Sequence, residues 1–254
     1  MTIFYFTSTG NCLALAKQIG GELISIAKVV DDMQGNFKDD VIGVIFPVYA
    51  NAPPKIVSRF LEKVKFEAEY TFAIGTYGKI AGACMHNLQK KALKLGYRFD
   101  YVNQLLMVDN FLPMFDINKE IEKLPTKQVE EATKAIIKDI KERKYLTKKA
   151  NIPSRVLAFL LSGVGNSSND AKGYIVEDSC NKCGVCVKAC PVKNIMIDAL
   201  NDKLSFSDHC LGCLGCIHIC PQNALHLKNE KSNKRWRHPE VTLQEIIEAN
   251  NKVT

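Results

Sequence analysis

Along the first half of the chain, short runs of β-branched and aromatic residues alternate with stretches whose apolar side chains recur every three or four positions. The runs TIFYF (2–6), LISI (23–26), VIGVIF (41–46) and YTFAIG (70–75), with a fifth segment near 99–108, predict strands. Residues 12–21, 54–64, 83–96 and 126–144 predict helices. In the last of these Val129, Ala132, Ile136 and Ile140 form one stripe among lysines and acids, the pattern of a packed face. Such alternation implies a parallel sheet wrapped by helices, of the α/β class, over residues 1–145. Only about 14 residues separate the second and third of these strands, so the helix between them is expected to be short or missing.

Beyond 145 the pattern changes. An apolar stretch at 152–161 precedes SGVGNSSNDAKG, which reads as a flexible loop, so 146–173 is expected to be a linker holding a short apolar helix. Residues 174–228 are cysteine-rich, and 229–254 form a basic tail.

Composition sharpens this division. The chain of 254 residues is 46% hydrophobic and 24% charged, an ordinary globular balance. Eight of its ten cysteines lie between 180 and 220, while Cys12 and Cys84 stand alone and read as small buried hydrophobes. That asymmetry points to an appended metal-binding module rather than a disulfide scaffold. The net charge of +7 is modest; its densest part, KNEKSNKRWRH at 228–238, carries five bases and one acid and reads as a solvated segment, with nucleic acid disfavoured as a partner. The longest apolar run is broken by Arg155 and falls short of the roughly 20 residues of a membrane span. No signal-peptide pattern is visible, and a cytoplasmic location is expected.

Two segments align at an offset of 30 residues, CNKCGVCVKACPVKNIMI from 180 and CLGCLGCIHICPQNALHL from 210. Each contains CxxCxxCxxxCP and continues into an apolar alternation, Ile195/Ile197 matching Leu225/Leu227, so two similar halves are expected. In this spacing three cysteines wrap one cluster and the fourth ligates the other. Cys180, Cys183, Cys186 and Cys220 are therefore expected to hold one 4Fe-4S cluster, and Cys210, Cys213, Cys216 and Cys190 the second. Structural zinc, which favours two separated CxxC pairs, explains neither the third cysteine nor Pro191 and Pro221. His209 and His218 sit beside these cysteines and read as surface or supporting residues. The segment 180–228 resembles the bacterial two-cluster ferredoxins, although four bases against three acids over 180–226 make it less acidic than they tend to be.

In an open parallel sheet ligands bind beyond the carboxyl ends of the strands. Three loops fall there: TSTGNC (7–12), PVYANAPP (47–54) and TYGKIAG (76–82). The hydroxyls of Thr7, Ser8 and Thr9, a turn at Gly10 and the helix that follows suit a phosphate dianion even without a lysine. Neither GxxxxGK[ST] nor GxGxxG is present, which disfavours nucleotide triphosphate hydrolysis and nicotinamide dinucleotides. Tyr49 and Tyr77, one in each remaining loop, suit a flat ring system.

Taken together, residues 1–145 resemble a flavodoxin, and the whole chain resembles the fused flavodoxin-ferredoxin proteins of anaerobes. The resemblance implies a doubly wound parallel sheet of order 2-1-3-4-5 and an FMN phosphate on Thr7, Ser8, Thr9, Gly10, Asn11 and Cys12, with Cys12 where a threonine is usual. Its isoalloxazine ring would be flanked by Pro47, Val48, Tyr49 and Ala50 on one side and Thr76, Tyr77, Gly78 and Lys79 on the other. The leading expectation is an iron-sulfur flavoprotein passing electrons between two 4Fe-4S clusters and FMN, with a redox partner protein or a small-molecule acceptor and homodimerisation left open. The alternatives are a flavin-dependent reductase of a small organic substrate, with Lys79, Asp109 and Asn110 as positional candidates, or a redox sensor or interaction module without flavin.

Overall fold

The computed structural model describes residues 1–148, 173–198, 200 and 202–251. The expected linker helix at 152–161 lies outside the described residues. In chain order the first unit comprises β1 (Thr2–Tyr5), α1 (Asn11–Ile19), β2 (Glu22–Ser25), α2 (Ile26–Val29), β3 (Gly35–Lys38), β4 (Val41–Pro47), α3 (Lys55–Lys63), β5 (Val64–Glu67), β6 (Tyr70–Tyr77), α4 (Cys84–Lys94), β7 (Tyr101–Leu106), α5 (Ile117–Glu122) and α6 (Val129–Lys141). Five strands form a sheet ordered β2-β1-β4-β6-β7, every neighbouring pair parallel. Counting only these five, the order is 2-1-3-4-5, that of the flavodoxin-like doubly wound fold.

The strands read as almost unbroken apolar runs because both faces of the sheet are covered. Their two-residue period divides them cleanly. Ile3, Tyr5, Ile45, Phe72, Ile74 and Leu105 pack with α1 and α6, whereas Phe4, Phe6, Val44, Phe46, Ala73 and Val102 pack with α2, α3 and α4. The stripe on α6 faces this core, with Ile136 and Ile140 buried and Val129 and Ala132 partly so. α2 is a single turn, as the short second crossover leads one to expect. The remaining residues of that crossover supply β3, which pairs with β5 outside the main sheet, a pairing that the apolar pattern did not announce.

The second unit comprises β8 (Tyr174–Val176), α7 (Val185–Lys188), β9 (Ile195–Asp198), β10 (Lys203–Phe206), α8 (Gly215–His218) and β11 (Leu225–Leu227). β8 pairs with β11 and β9 with β10, both antiparallel. The repeat is visible in the backbone. Left-handed residues recur at the 30-residue offset as Lys182 and Gly212, Gly184 and Leu214, Lys193 and Asn223. The sulfurs of Cys190 and Cys220 accept equivalent backbone N–H bonds from Asn194 at 3.2 Å and Ala224 at 3.3 Å.

The chain then returns to the first unit and ends its described course in α9 (Leu243–Asn250), which opens with a capping box between Thr242 and Glu245. Val241, Ile246 and Ala249 join the core on the α1 face. Here the structure corrects the reading of 228–238 as a solvated segment. Lys228, Lys231, Lys234 and Arg237 are exposed, but Arg235 pairs at 3.0 Å with a nearly buried Glu230 and the Trp236 ring is buried. Trp236 shares a core with Val108, Leu112 and Ile117 of the first unit and Leu214, Cys216 and Ile217 of the second. A charge run thus conceals an anchor, because one buried indole outweighs the solvation preference of its neighbours.

Candidate functional site

The loop 7–12 leaves the carboxyl end of β1 and opens α1. Thr7, Ser8, Thr9, Gly10, Asn11 and Cys12 are all buried. Gly10, the N-cap, has φ 100° and ψ −18°, a left-handed conformation that a side chain would strain. No side chain caps α1, and its first turn carries no acid, so its buried N–H groups present the positive end of the helix dipole. Thr7 Oγ1 accepts the Gly10 N–H at 3.1 Å and Thr9 Oγ1 accepts from Asn110 Nδ2 at 2.6 Å. A hydroxyl that accepts still has its own proton to donate, so both threonines keep a donor for an anion.

The neighbouring loops meet this one. Ser8 Oγ and the Tyr49 hydroxyl are 3.1 Å apart, and Cys12 Sγ and Thr76 Oγ1 are 3.2 Å apart. Burial pushes the Cys12 thiol up to about 12, and burial likewise pushes the Tyr49 phenol well above its usual range, so both are neutral. Pro47, Val48 and Tyr49 are half-buried and Ala50 is exposed. Ala50 and Asn51 have φ 45° and 66°, and Tyr49 and Ala52 exchange two backbone bonds of 2.9 Å, which closes the loop as a tight hairpin turn. In the third loop Thr76 is buried, Tyr77 and Gly78 are half-buried and Lys79 is exposed, its ammonium 5.7 Å from the Phe115 ring centroid. The Tyr77 carbonyl accepts the Met107 N–H at 2.7 Å.

Several residues that shape the site carried no motif. Lys127 Nζ donates to the carbonyls of Met107 at 2.6 Å and Gly78 at 3.2 Å and to Glu120 at 2.8 Å, pinning the ends of β6 and β7 together. Burial alone would raise the Glu120 carboxyl, but Lys123 and Lys127 hold it below its usual range. Asp109 is raised, chiefly by burial. From the C-terminal segment, Trp236 Nε1–H donates to Asn11 Oδ1 at 2.9 Å, the His238 N–H to the Thr9 carbonyl at 2.9 Å, and Asn250 Nδ2 to the Thr7 carbonyl at 3.1 Å. Their one sequence signal is that Trp236 is the single tryptophan.

The cysteines gather in two sets. Cys180, Cys183, Cys186 and Cys220 line one small pocket, and Cys190, Cys210, Cys213 and Cys216 line another. All ten cysteines are free. Burial, then the nearness of Cys220, Cys180 and Cys183, raises Cys186 to about 11; burial, then Cys190, raises Cys213 to about 12. Buried sulfurs that disfavour one another's charge become thiolates together only around a cation, which suits an iron-bearing group. The Tyr174 hydroxyl lies 3.8 Å from Cys210 Sγ.

His209 is exposed, with its ring Nε2 2.8 Å from the Val192 carbonyl. His218 is buried: its Nδ1 accepts the Trp236 N–H at 3.1 Å, so its Nε2 carries the proton and donates to the Asn110 carbonyl at 2.8 Å. Of the three positional candidates, Asn110 therefore links Thr9 to the second cysteine set, while Lys79 and Asp109 lie in the adjoining loops.

Residues 172–233 match the family model of the 4Fe-4S dicluster domain. Among curated proteins, 66 residues are 33% identical to the archaeal-type glutamate synthase (NADPH) of Dehalococcoides mccartyi, covering 24% of this chain and 13% of that protein. A ferredoxin of Pyrobaculum islandicum is 30% identical over 67 residues, 24% of this chain and 63% of that one. The chain thus spans less than two thirds of either relative. Among solved structures, the Megasphaera elsdenii flavodoxin overlays with a TM-score of 0.32 and 19% identity, covering 41% of this chain and 85% of that one. The strand order, not that overlay, defines the first unit. The chain joins a flavodoxin-like doubly wound fold to a 4Fe-4S dicluster domain. Its architecture is that of a fused flavodoxin-ferredoxin protein. No helix among the described residues is long and apolar enough to cross a membrane.

Proposed function

We propose that this protein is an iron-sulfur flavoprotein that moves electrons between two 4Fe-4S clusters and FMN, with residues 1–145 as the flavin unit and 174–228 as the cluster unit. When bound, the clusters supply one-electron chemistry and the flavin both one- and two-electron chemistry, which a fusion joins in one chain. Cys180, Cys183, Cys186 and Cys220 would hold one cluster and Cys190, Cys210, Cys213 and Cys216 the other.

The observation that carries the flavin half is a buried helix N-terminus without a side-chain cap, beside two threonine hydroxyls with protons to donate, at the carboxyl edge of a doubly wound sheet. Such a site favours a phosphate dianion. Cys12 replaces the usual threonine at no electrostatic cost, since its thiol is neutral and already meets Thr76. The loops at 47–50 and 76–79 would flank the ring, with Tyr49 oriented by Ser8 and the third loop held by Lys127. Residues 236–250 keep water from the far side of the phosphate loop. The partner this reading requires is a redox protein or small-molecule electron acceptor in the cytoplasm.

The test is anaerobic purification followed by visible spectroscopy with iron and FMN quantitation. About eight iron atoms and one FMN per chain are expected, with a flavin band near ~450 nm over broad iron-sulfur absorption. Iron without extractable FMN would overturn the flavin half.

A further inference from the structure

Gly215 opens α8 at the place where the second unit meets the phosphate loop. A Cβ there would stand 3.2 Å from the Ser8 carbonyl oxygen, 3.3 Å from Ser8 Cβ and 3.7 Å from Cys213 Sγ. Gly215 is not among the residues with left-handed φ, so backbone freedom does not explain the glycine. Nor does the local loop. The 30-residue repeat aligns Gly215 with Val185, which opens α7 beside Cys186 as Gly215 opens α8 beside Cys216. The same fold around the other set of sulfurs therefore accepts a branched side chain, and what crowds one at 215 is the approach of Ser8.

The two cysteine sets differ in what they face. Around the Cys213 set, Leu211 and Val192 pack against the same apolar cluster as Val48 and Tyr49 of the second loop. In the other set Cys183 is exposed to solvent. Between the sets, Cys186 and Cys216 are both buried in one core.

We propose that Gly215 is a positioning residue that lets the Cys190, Cys210, Cys213 and Cys216 set close on Ser8 and Tyr49, so that this set serves the flavin loops and the Cys183 set faces an external one-electron partner. The inference rests on the reading of both sets as cluster ligands, and its test uses neither flavin nor turnover. The full chain is prepared anaerobically with 3-fluorotyrosine, and the fluorine resonance of Tyr49 is assigned by Tyr49→Phe. Iron content and the Tyr49 line width are measured before and after the clusters are reduced to their paramagnetic state.

Reduction should broaden the Tyr49 line strongly in the wild type. The excess broadening should fall several-fold in Gly215→Val at unchanged iron content, since dipolar relaxation decays with the inverse sixth power of distance. Gly215→Ala, whose methyl needs a shift of only a few tenths of an ångström, should fall between and keeps the test intact if the valine variant does not fold. Cys183→Ser should preserve the broadening and Cys213→Ser should abolish it. Equal broadening in wild type and both Gly215 variants, or the opposite result for the two cysteine variants, overturns the proposal while the cluster reading stands. A chain reconstituted without iron overturns the cluster reading, and this inference with it.

Discussion

Trp236 and Asn11, 225 residues apart, meet in a buried hydrogen bond of 2.9 Å from the indole N–H to the amide oxygen. The backbone N–H of the same tryptophan is held by His218, in the turn between Cys216 and Cys220. One residue thus ties the first turn of α1 to the cysteine-rich unit. Trp236→Phe keeps most of the ring and deletes the donor, leaving Asn11 Oδ1 buried without it. The variant should lose about 1–3 kcal/mol in urea denaturation. Equal midpoints for variant and wild type would show that the bond adds nothing.

Lys127 and Glu120 form a nearly buried pair, and the same ammonium serves two backbone carbonyls. Lys127→Met strips three acceptors at once and should cost about 3–5 kcal/mol by chemical denaturation. Adding Glu120→Gln should recover part of that loss, because the nearly buried carboxylate, left with the exposed Lys123 as its remaining ion-pair partner, is then neutral. A double variant less stable than Lys127→Met would contradict a charge-based account.

Glu245 is held down to about 2 by Lys17 and by the backbone and hydroxyl of Thr242. A carboxyl depressed in the folded state contributes stability above its ordinary value near 4.5 and loses it as pH falls towards 2. The C-terminal segment should therefore loosen on acidification through this window. Because Trp236 is the single tryptophan, its emission should shift to the red as that happens. In Glu245→Gln, which lacks the ionisable group, this part of the pH dependence should flatten; an unchanged titration would rule Glu245 out as its source.

Iron removal should unfold the cysteine-rich unit, since eight thiols with little core of their own would lose the group that organises them. The loss of His218 then frees the Trp236 backbone, so chelation should increase quenching of Trp236 by acrylamide while the helical signal of the first unit persists in circular dichroism. Unaltered quenching at zero iron would mean that the anchor is independent of the clusters.

The strands and helices of the first unit were legible because each obeys its own short-range rule. β1, β4 and β6 lie where apolar runs predict them, and α3 (Lys55–Lys63) lies within the expected 54–64. The grouping of the cysteines was legible because spacing within a loop is a local constraint, written twice. The short pair of β3 and β5 was not, since four residues such as Gly35–Lys38 have too little pattern to announce a strand.

What the amino-acid order determined alone was a parallel sheet wrapped by helices, the duplicated cysteine loops and the Thr/Ser-rich loop between β1 and α1 that ends in Cys12. Only the tertiary structure decided that Gly215 meets Ser8, that Lys127 holds two strand ends, and that a basic segment carries Trp236 back to Asn11. Those contacts join positions tens to hundreds of residues apart. Periodicity reports which face of an element is apolar, but it contains no term for which distant element will cover that face.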